Sequence, residues 1–175
     1  MSALIYLVDT LLDLCLLIFL LRLLLQWVRA DFRNPLGKAL LQITNPVIIP
    51  LRRVIPAIGR LDTASALAIL LVLLVKVAAP FLLSGFGPPP PLLWLRVSAL
   101  QLVNLLLWTY FWAIFVYALS SMIAPGSYSP LVAMLSALCE PILRRFRAII
   151  PPLGGLDFSP LWAGILIQTL LRLIG

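Results

Sequence analysis

The sequence predicts an all-α membrane protein in which four transmembrane helices form two parallel, repeated hairpins, each with an amphipathic helix at the cytoplasmic interface. Three observations predict this fold class. Of the 175 residues, 63% are hydrophobic and 11% are charged, whereas soluble domains are about 45–50% apolar and about 25% charged. Four runs are apolar enough to cross a bilayer. The second half of the chain also repeats the first at an offset of 95 residues, as from Asp62 to Asp157.

The first predicted span, about residues 3–27, contains the charged side chains of Asp9, Asp13 and Arg22. Each aspartate at mid-membrane costs roughly 2.5–3.5 kcal/mol, and each leucine contributes at most roughly 0.6 kcal/mol in favour of insertion. Twelve leucines lie between Ala3 and Leu25. We therefore expect the span to insert despite its charges.

A basic connection of about residues 28–63 follows, and part of it has helical periodicity. Its apolar residues recur at helical spacing at Val47, Ile48, Leu51, Val54 and Ile55. Arg52 and Arg53 lie off this apolar stripe. The pattern predicts a short amphipathic helix in the membrane interface, with its arginines among lipid phosphates.

Prolines and glycines set the expected bounds of this helix and of its counterpart in the second half. Proline is favoured at the first helical position, where no amide hydrogen bond is missed, so we expect starts at Pro46 and Pro141. Proline also ends helices, and glycine permits sharp turns. The residues expected to end the two helices and turn the chain back are Pro56, Gly59, Pro151 and Gly154.

Three more spans are predicted at about residues 64–83, 97–123 and 159–174. The second span contains Lys76, the third contains the polar Asn104 but no charge, and the fourth is short. Residues 87–96 are predicted to form a proline-rich outer loop with polyproline character.

These elements divide the chain into a first repeat at residues 1–86 and a second at residues 97–175, joined by the proline-rich loop. The first long connection carries six positive residues and the second carries Arg144, Arg145 and Arg147, whereas the short loop has Arg96 alone. The positive-inside bias therefore predicts that both long connections face the cytoplasm and both termini face outward. Two spans per repeat predict that both repeats have the same orientation.

Two aspartates occupy matched positions in the repeats. Asp62 and Asp157 precede the second span of each repeat, where they can cap the helix or pair with Arg52 and Arg147. The alternative is a symmetric pair of carboxylates that binds a cation at the inner mouth. The arginines likewise have two interpretations: contact with anionic lipid, or a docking surface for a partner.

Charged side chains inside a span are candidate functional residues because they are costly to place there. Asp9 and Asp13 lie four residues apart on one helical face, and Asp13 and Lys76 both lie near the middle of their spans. An ion pair that holds the first two spans together is one interpretation. A proton or cation path through Asp9, Asp13 and Lys76 is the other, and Asn104 supplies a polar position in the second repeat.

The composition argues against enzyme chemistry. The chain has no histidine and two cysteines, Cys15 and Cys139, without a CxxC pair. It has no phosphate-binding loop, GxSxG or HExxH motif. We therefore expect no catalysis, no metal and no cofactor. We also expect no nucleic-acid partner, since the positive charge lies mostly in the connections between the spans.

The segment "RLLLQWVRADFRNPLGKALLQITNPVIIPLRRVIP" with "GRLD" resembles the YggT family of bacterial membrane proteins, which has relatives in plastids. The second copy, "EPILRRFRAIIPPLGGLDFSP", resembles the same motif. In that copy Ala148 stands opposite Arg53, so Arg52 is the more general basic position. The resemblance implies relatives associated with osmotic or potassium tolerance, with envelope and nucleoid organisation in division, and with cytochrome haem maturation in plastids.

These associations favour a non-enzymatic membrane organiser or assembly factor in the bacterial cytoplasmic membrane. Its expected partners are anionic lipid head groups and a membrane protein or a second copy of the chain. The alternative function is a small ion or osmolyte conduit that serves osmotic or potassium homeostasis.

Overall fold

The computed structural model describes residues 3–55, 62–83, 85, 87–123, 129–149 and 157–174. Within these ranges the protein forms six α-helices and no strand. The helices are α1 (Ala3–Trp27), α2 (Pro35–Val54), α3 (Thr63–Leu83), α4 (Pro91–Ile123), α5 (Pro130–Ile149) and α6 (Ser159–Ile174). Three of them, α1, α3 and α4, are long and apolar enough to cross a membrane. The all-α class and the membrane-type apolar helices are thus confirmed.

The bounds of α1 and α6 agree with the predicted spans, but the proline-rich loop is shorter than expected. Helix α4 begins at Pro91, so that more than half of the segment 87–96 is helical. Proline is well placed there because the first helical position has no intrahelical partner for an amide hydrogen. At a rise of 1.5 Å per residue, α4 is about 50 Å long and exceeds a hydrocarbon core of about 30 Å. The 16 residues of α6 span only about 24 Å.

The predicted starts of the two amphipathic helices are wrong. Pro46 lies inside α2 and Pro141 lies inside α5, which begin eleven residues earlier at Pro35 and Pro130. The true start of α2 has a side-chain cap, because Asn34 Oδ1 accepts a hydrogen bond from the Gly37 amide at 2.7 Å. The expected ends and turns at Pro56, Gly59, Pro151 and Gly154 lie outside the described residues.

A tight left-handed turn separates α1 from α2. Arg29 has φ 56°, a conformation that costs a non-glycine residue about 1–2 kcal/mol. The Ala30 amide donates to Leu25 O at 2.8 Å and the Arg29 amide donates to Gln26 O at 3.1 Å. This is the hydrogen-bond pattern of a Schellman motif, and it satisfies carbonyls at the end of α1 that would otherwise lack partners.

The chain that follows this turn packs against Gly37 so closely that we expect Gly37→Ala to destabilise the protein. A Cβ atom at position 37 would lie 2.6 Å from Phe32 Cα, which is backbone and cannot move aside cheaply. We expect a loss of about 1–3 kcal/mol, the range for overpacking. Val132→Ala is the control, because Val132 occupies the same position in the second half. Equal thermal unfolding midpoints for Gly37→Ala and the wild type in detergent would contradict this close approach.

Each half of the chain has its own core. One cluster joins α1, α2 and α3 through Leu16, Leu20, Ile48, Ile69 and Leu73, among others. The other joins α4, α5 and α6 through Ile114, Leu138, Leu143, Ala163 and Ile167, and it also takes in Leu25 from the end of α1. Helix α5 begins and ends 95 residues after α2, the same offset as in the sequence. The two cores position the polar residues described next.

Candidate functional site

A polar site lies between α1 and α3, at the middle of both helices. Lys76 Nζ forms an ion pair with Asp13 and approaches Asp9 Oδ1 at 3.5 Å. The spacing of four residues places both carboxylates on the face of α1 that Lys76 reaches. The Lys76 side chain is 12% exposed, and those of Asp13 and Asp9 are 50% and 41% exposed. Two carboxylates and one ammonium leave this site with one excess negative charge.

A cavity of about 390 Å³ adjoins this ion pair. Gln101 and Asn104 of α4 line it together with Asp13 and Lys76. Gln101 Oε1 is buried and has no hydrogen-bond partner in the described part of the chain. The structure thus brings Asn104 to the same site as Asp13 and Lys76, and it adds Gln101, which the sequence analysis did not select.

A second polar cluster, the α2–α3 junction, ties α2 to the start of α3. Arg52 donates from Nη2 to Asp62 Oδ2 at 2.9 Å and from Nε to Asp62 Oδ1 at 3.2 Å. Ser65 Oγ donates to Asp62 Oδ2 at 2.6 Å, in the first turn of α3. Asp62 therefore pairs with Arg52 and binds the first turn of α3 through the Ser65 hydroxyl, and its side chain is fully buried.

Arg22 completes this junction, and the sequence analysis gave it no role. Its side chain is 2% exposed, and its Nε lies 3.7 Å from Asp62 Oδ2. Its Nη1 donates to Thr44 Oγ1 and, at 2.9 Å, to Asn45 Oδ1. One arginine of α1 thus holds α2 and the start of α3 together.

The α5–α6 junction is built in the same way. Arg147 donates from Nε to Asp157 Oδ2 at 2.7 Å and from Nη1 to Glu140 Oε2 at 2.8 Å. Asp157 Oδ1 accepts a hydrogen bond from the Ser159 amide at 2.9 Å. Tyr117 of α4 donates to Glu140 Oε1 at 2.9 Å. Ser159 contributes its backbone amide to this junction, whereas the other residues contribute their side chains.

The two junctions differ in charge and burial. Tyr117 occupies the position of Arg22, and Glu140 occupies that of Asn45, at the offset of 95 residues. Arg22 and Arg52 against Asp62 leave a net charge of +1, whereas Arg147 against Glu140 and Asp157 leaves −1. Asp62 is fully buried, but the Asp157 and Arg147 side chains are each 34% exposed.

Hydrogen bonds set the protonation of the junction carboxylates. Burial alone raises the pKa of Asp62, but hydrogen bonds from Arg52 and Ser65 outweigh it, so the pKa lies below its usual value. The pKa of Asp157 is lowered in the same way by Ser159 and Arg147. Both groups are therefore carboxylates at neutral pH.

Cys139, at the position of Thr44, has a different character. Burial, and secondarily the Glu140 carboxylate, raise the pKa of its thiol to about 12. The thiol is therefore protonated and packs in the core instead of acting as a nucleophile.

The other basic residues singled out in the sequence lie on the surface. Arg53, Arg144 and Arg145 are exposed and form no ion pair within the described ranges. Over the same residues, no group of three or more cysteine or acidic side chains is arranged to hold a metal ion. The exposed arginines are therefore available to groups outside the chain.

Comparison with known proteins identifies the family. The CCB3/YggT family model matches the chain in two segments, residues 1–83 and 97–175. The chain is 40% identical to "Uncharacterized protein PA0392" of Pseudomonas aeruginosa, covering 99% of this chain and 88% of that protein. It is 35% identical to "Uncharacterized protein YggT" of Escherichia coli K12, covering 97% and 88%.

A shorter match extends the similarity to plastids. The chain is 47% identical to "YlmG homolog protein 2, chloroplastic" of Arabidopsis thaliana over 45 residues, which are 26% of this chain and 18% of that protein. No solved structure matches the chain. The two matched segments and the near full-length relatives show that the chain belongs to the CCB3/YggT family.

Proposed function

We propose that this protein is a non-enzymatic membrane organiser or assembly factor of the bacterial cytoplasmic membrane. In this proposal α1, α3, α4 and α6 all cross the bilayer as two parallel hairpins, and α2 and α5 lie at the cytoplasmic interface. Both termini then face outward. Support for the arrangement comes from the separate core and the separate polar junction in each half.

The observation that carries the proposal is that the charged side chains form ion pairs between helices. Apart from the surface arginines, the charges discussed above bind one another and join helices of the same half: Lys76 joins α3 to α1, Arg52 joins α2 to α3, and Arg147 joins α5 to α6. These pairs support a scaffold because they stabilise a fixed arrangement of helices. A catalytic or transport role is instead expected to leave reactive groups available to a substrate.

The exposed arginines supply the interaction surface of this scaffold. Arg53 at the end of α2, and Arg144 and Arg145 on α5, project from the two interfacial helices. Guanidinium groups bind phosphate through several hydrogen bonds, so anionic lipid head groups are suitable partners. The same surface suits an acidic segment of a membrane-protein partner or of a second copy of the chain.

The cavity next to Lys76 favours a second candidate function, a small ion or osmolyte conduit. Its lining includes Asp13, Lys76 and two amide side chains, and with Asp9 beside Lys76 the site has one excess negative charge. Such polar and charged groups inside spans are expected along a cation path. In this alternative, Asp13 releases Lys76 and binds the cation as it passes, and then binds Lys76 again.

Potassium and proton flux across liposomes containing the purified protein distinguishes the two functions. For the organiser we expect flux equal to that of protein-free liposomes, for the wild type and for Asp13→Asn and Lys76→Gln alike. Circular dichroism must show that each reconstituted protein is helical. Wild-type flux that both substitutions reduce would replace the organiser with the conduit.

A further inference from the structure

An apolar groove of about 810 Å³ lies between α4 and α6. Phe111, Phe115 and Gly164 line its apolar part, and Arg147 and Asp157 of the α5–α6 junction stand at one end. The volume falls within the range of about 300–1,000 Å³ that is usual for small-molecule sites. The groove is thus large enough for a ligand with an apolar body and a polar end.

The corresponding region of the first half is packed by the chain itself. Ile69 occupies the position of Gly164 and is 3% exposed, in the core with Leu16 and Leu20. Arg22, 2% exposed, occupies the position of Tyr117. In the second half the missing side chain at Gly164 leaves space, since the nearest atom to a Cβ there is Phe111 Cε2 at 3.9 Å. At these equivalent positions, the groove is therefore present in the second half and filled by side chains in the first half.

A hydrocarbon chain is the occupant that suits the lining. An empty apolar groove loses dispersion contacts along its walls, and water inside it lacks hydrogen-bond partners. Helices α4 and α6 are apolar, with Trp112, Leu161 and Ile165 exposed to their surroundings. In a bilayer those surroundings are acyl chains, which match the groove in polarity.

The polar end selects the head group. A guanidinium has five N–H donors, and Arg147 uses two of them on Asp157 and Glu140, so three remain for a phosphate. The two carboxylates give the junction a net charge of −1, which opposes a purely anionic head group. A phosphate followed by a primary ammonium complements both signs, because the ammonium can donate to the spare carboxylate lone pairs.

We propose that the α4–α6 groove binds one phospholipid, with an acyl chain along Phe111, Phe115 and Gly164 and a phosphoethanolamine head group at Arg147 and Asp157. This lipid site does not depend on whether the protein is an organiser or a conduit. It is also distinct from the contact of Arg53, Arg144 and Arg145 with anionic lipid, since it selects a head group with a primary ammonium next to its phosphate.

Native mass spectrometry of the full-length protein in detergent tests the site. The probes are phosphatidylethanolamine, phosphatidylglycerol and phosphatidylcholine with identical acyl chains. We expect the wild type to retain phosphatidylethanolamine in preference to the other two and to gain thermal stability from it. Phosphatidylcholine should bind less well, since its quaternary ammonium has no N–H to donate.

Gly164→Leu is the critical variant, and Leu166→Phe on the exposed face of the same helix is its control. Leucine has a higher helix propensity than glycine, so the variant is expected to fold and to unfold at a higher temperature without lipid. We expect it to lose both the retained phosphatidylethanolamine and the lipid-dependent stabilisation, whereas Leu166→Phe keeps both.

Three results would overturn the proposal. One is equal lipid retention by Gly164→Leu and the wild type. Another is preferential retention of phosphatidylglycerol. The third is a dimer that Gly164→Leu dissociates, because a second copy of the chain would then occupy the groove.

Discussion

Replacement of Asp62 with alanine is expected to lower the free energy of unfolding by about 3–5 kcal/mol, the usual loss when one partner of a buried ion pair is removed. Asp62 is fully buried and Arg22 is 2% exposed. Without the carboxylate, Arg22 keeps only the neutral acceptors Thr44 and Asn45. Its Nε already has no hydrogen-bond partner within the described residues. The variant therefore contains a buried cation without a counter-charge.

Equilibrium unfolding in mixed detergent micelles measures this loss, and Asp157→Ala is the matched control. Asp157 and Arg147 are each 34% exposed, so their pair is screened and is expected to contribute only about 0–1 kcal/mol. Glu140 also remains bound to Arg147 at 2.8 Å in that variant. Equal losses from Asp62→Ala and Asp157→Ala would show that burial does not distinguish the two junctions.

The double variant Arg22→Met, Asp62→Ala identifies the cause of the loss. Removal of both charges leaves no buried cation without a counter-charge, because Arg52, the other partner of Asp62, is 41% exposed. The double variant is therefore expected to be more stable than Asp62→Ala alone. If the double variant were the less stable of the two, the hydrogen bonds from Arg22 to Thr44 and Asn45 would stabilise the protein more than the unpaired charge of Arg22 destabilises it.

Composition and periodicity were sufficient to predict the class of the fold and the limits of α1 and α6. Long apolar runs in this chain have few structural alternatives, because an isolated helix satisfies its backbone groups without partners in lipid. The predicted starts at Pro46 and Pro141 failed because two sites in each connection satisfy the same local rule. Helix α2 begins at the earlier of the two sites, where Asn34 caps it. At the later site, the Asn45 side chain accepts a hydrogen bond from Arg22.

Tertiary contacts account for what the sequence analysis missed at the site. The partners of Arg22 lie 22 and 23 residues away on another helix, so no local pattern points to them. Comparison of the two halves nevertheless indicates the contact between Arg22 and Asn45, because both positions change together. Where Arg22 becomes Tyr117, Asn45 becomes Glu140, which exchanges an arginine–amide contact for a hydroxyl–carboxylate contact. The change from Ile69 to Gly164 marks the groove in the same way.

Lys76→Gln is expected to lower the free energy of unfolding by about 2.5–3.5 kcal/mol, roughly the cost of one uncompensated carboxylate at mid-membrane. The substitution removes the only cation that contacts Asp9 and Asp13 among the described residues. Asp13→Asn is expected to cost less than Lys76→Gln. Asp9 Oδ1 lies 3.5 Å from Lys76 Nζ and can take over as its partner.

A double-mutant cycle between Asp13 and Lys76 measures their coupling, which is expected to reach about 0.5–3 kcal/mol for side chains in contact. Because the neutral amide introduced by Asp13→Asn requires no cation, the double variant should recover part of the stability that Lys76→Gln loses. Adding Asp9→Asn to the double variant should recover more, since it removes the second unpaired carboxylate. Independent losses from Asp13→Asn and Lys76→Gln would mean that the two side chains do not stabilise each other. The conduit would then explain their placement better than the scaffold does.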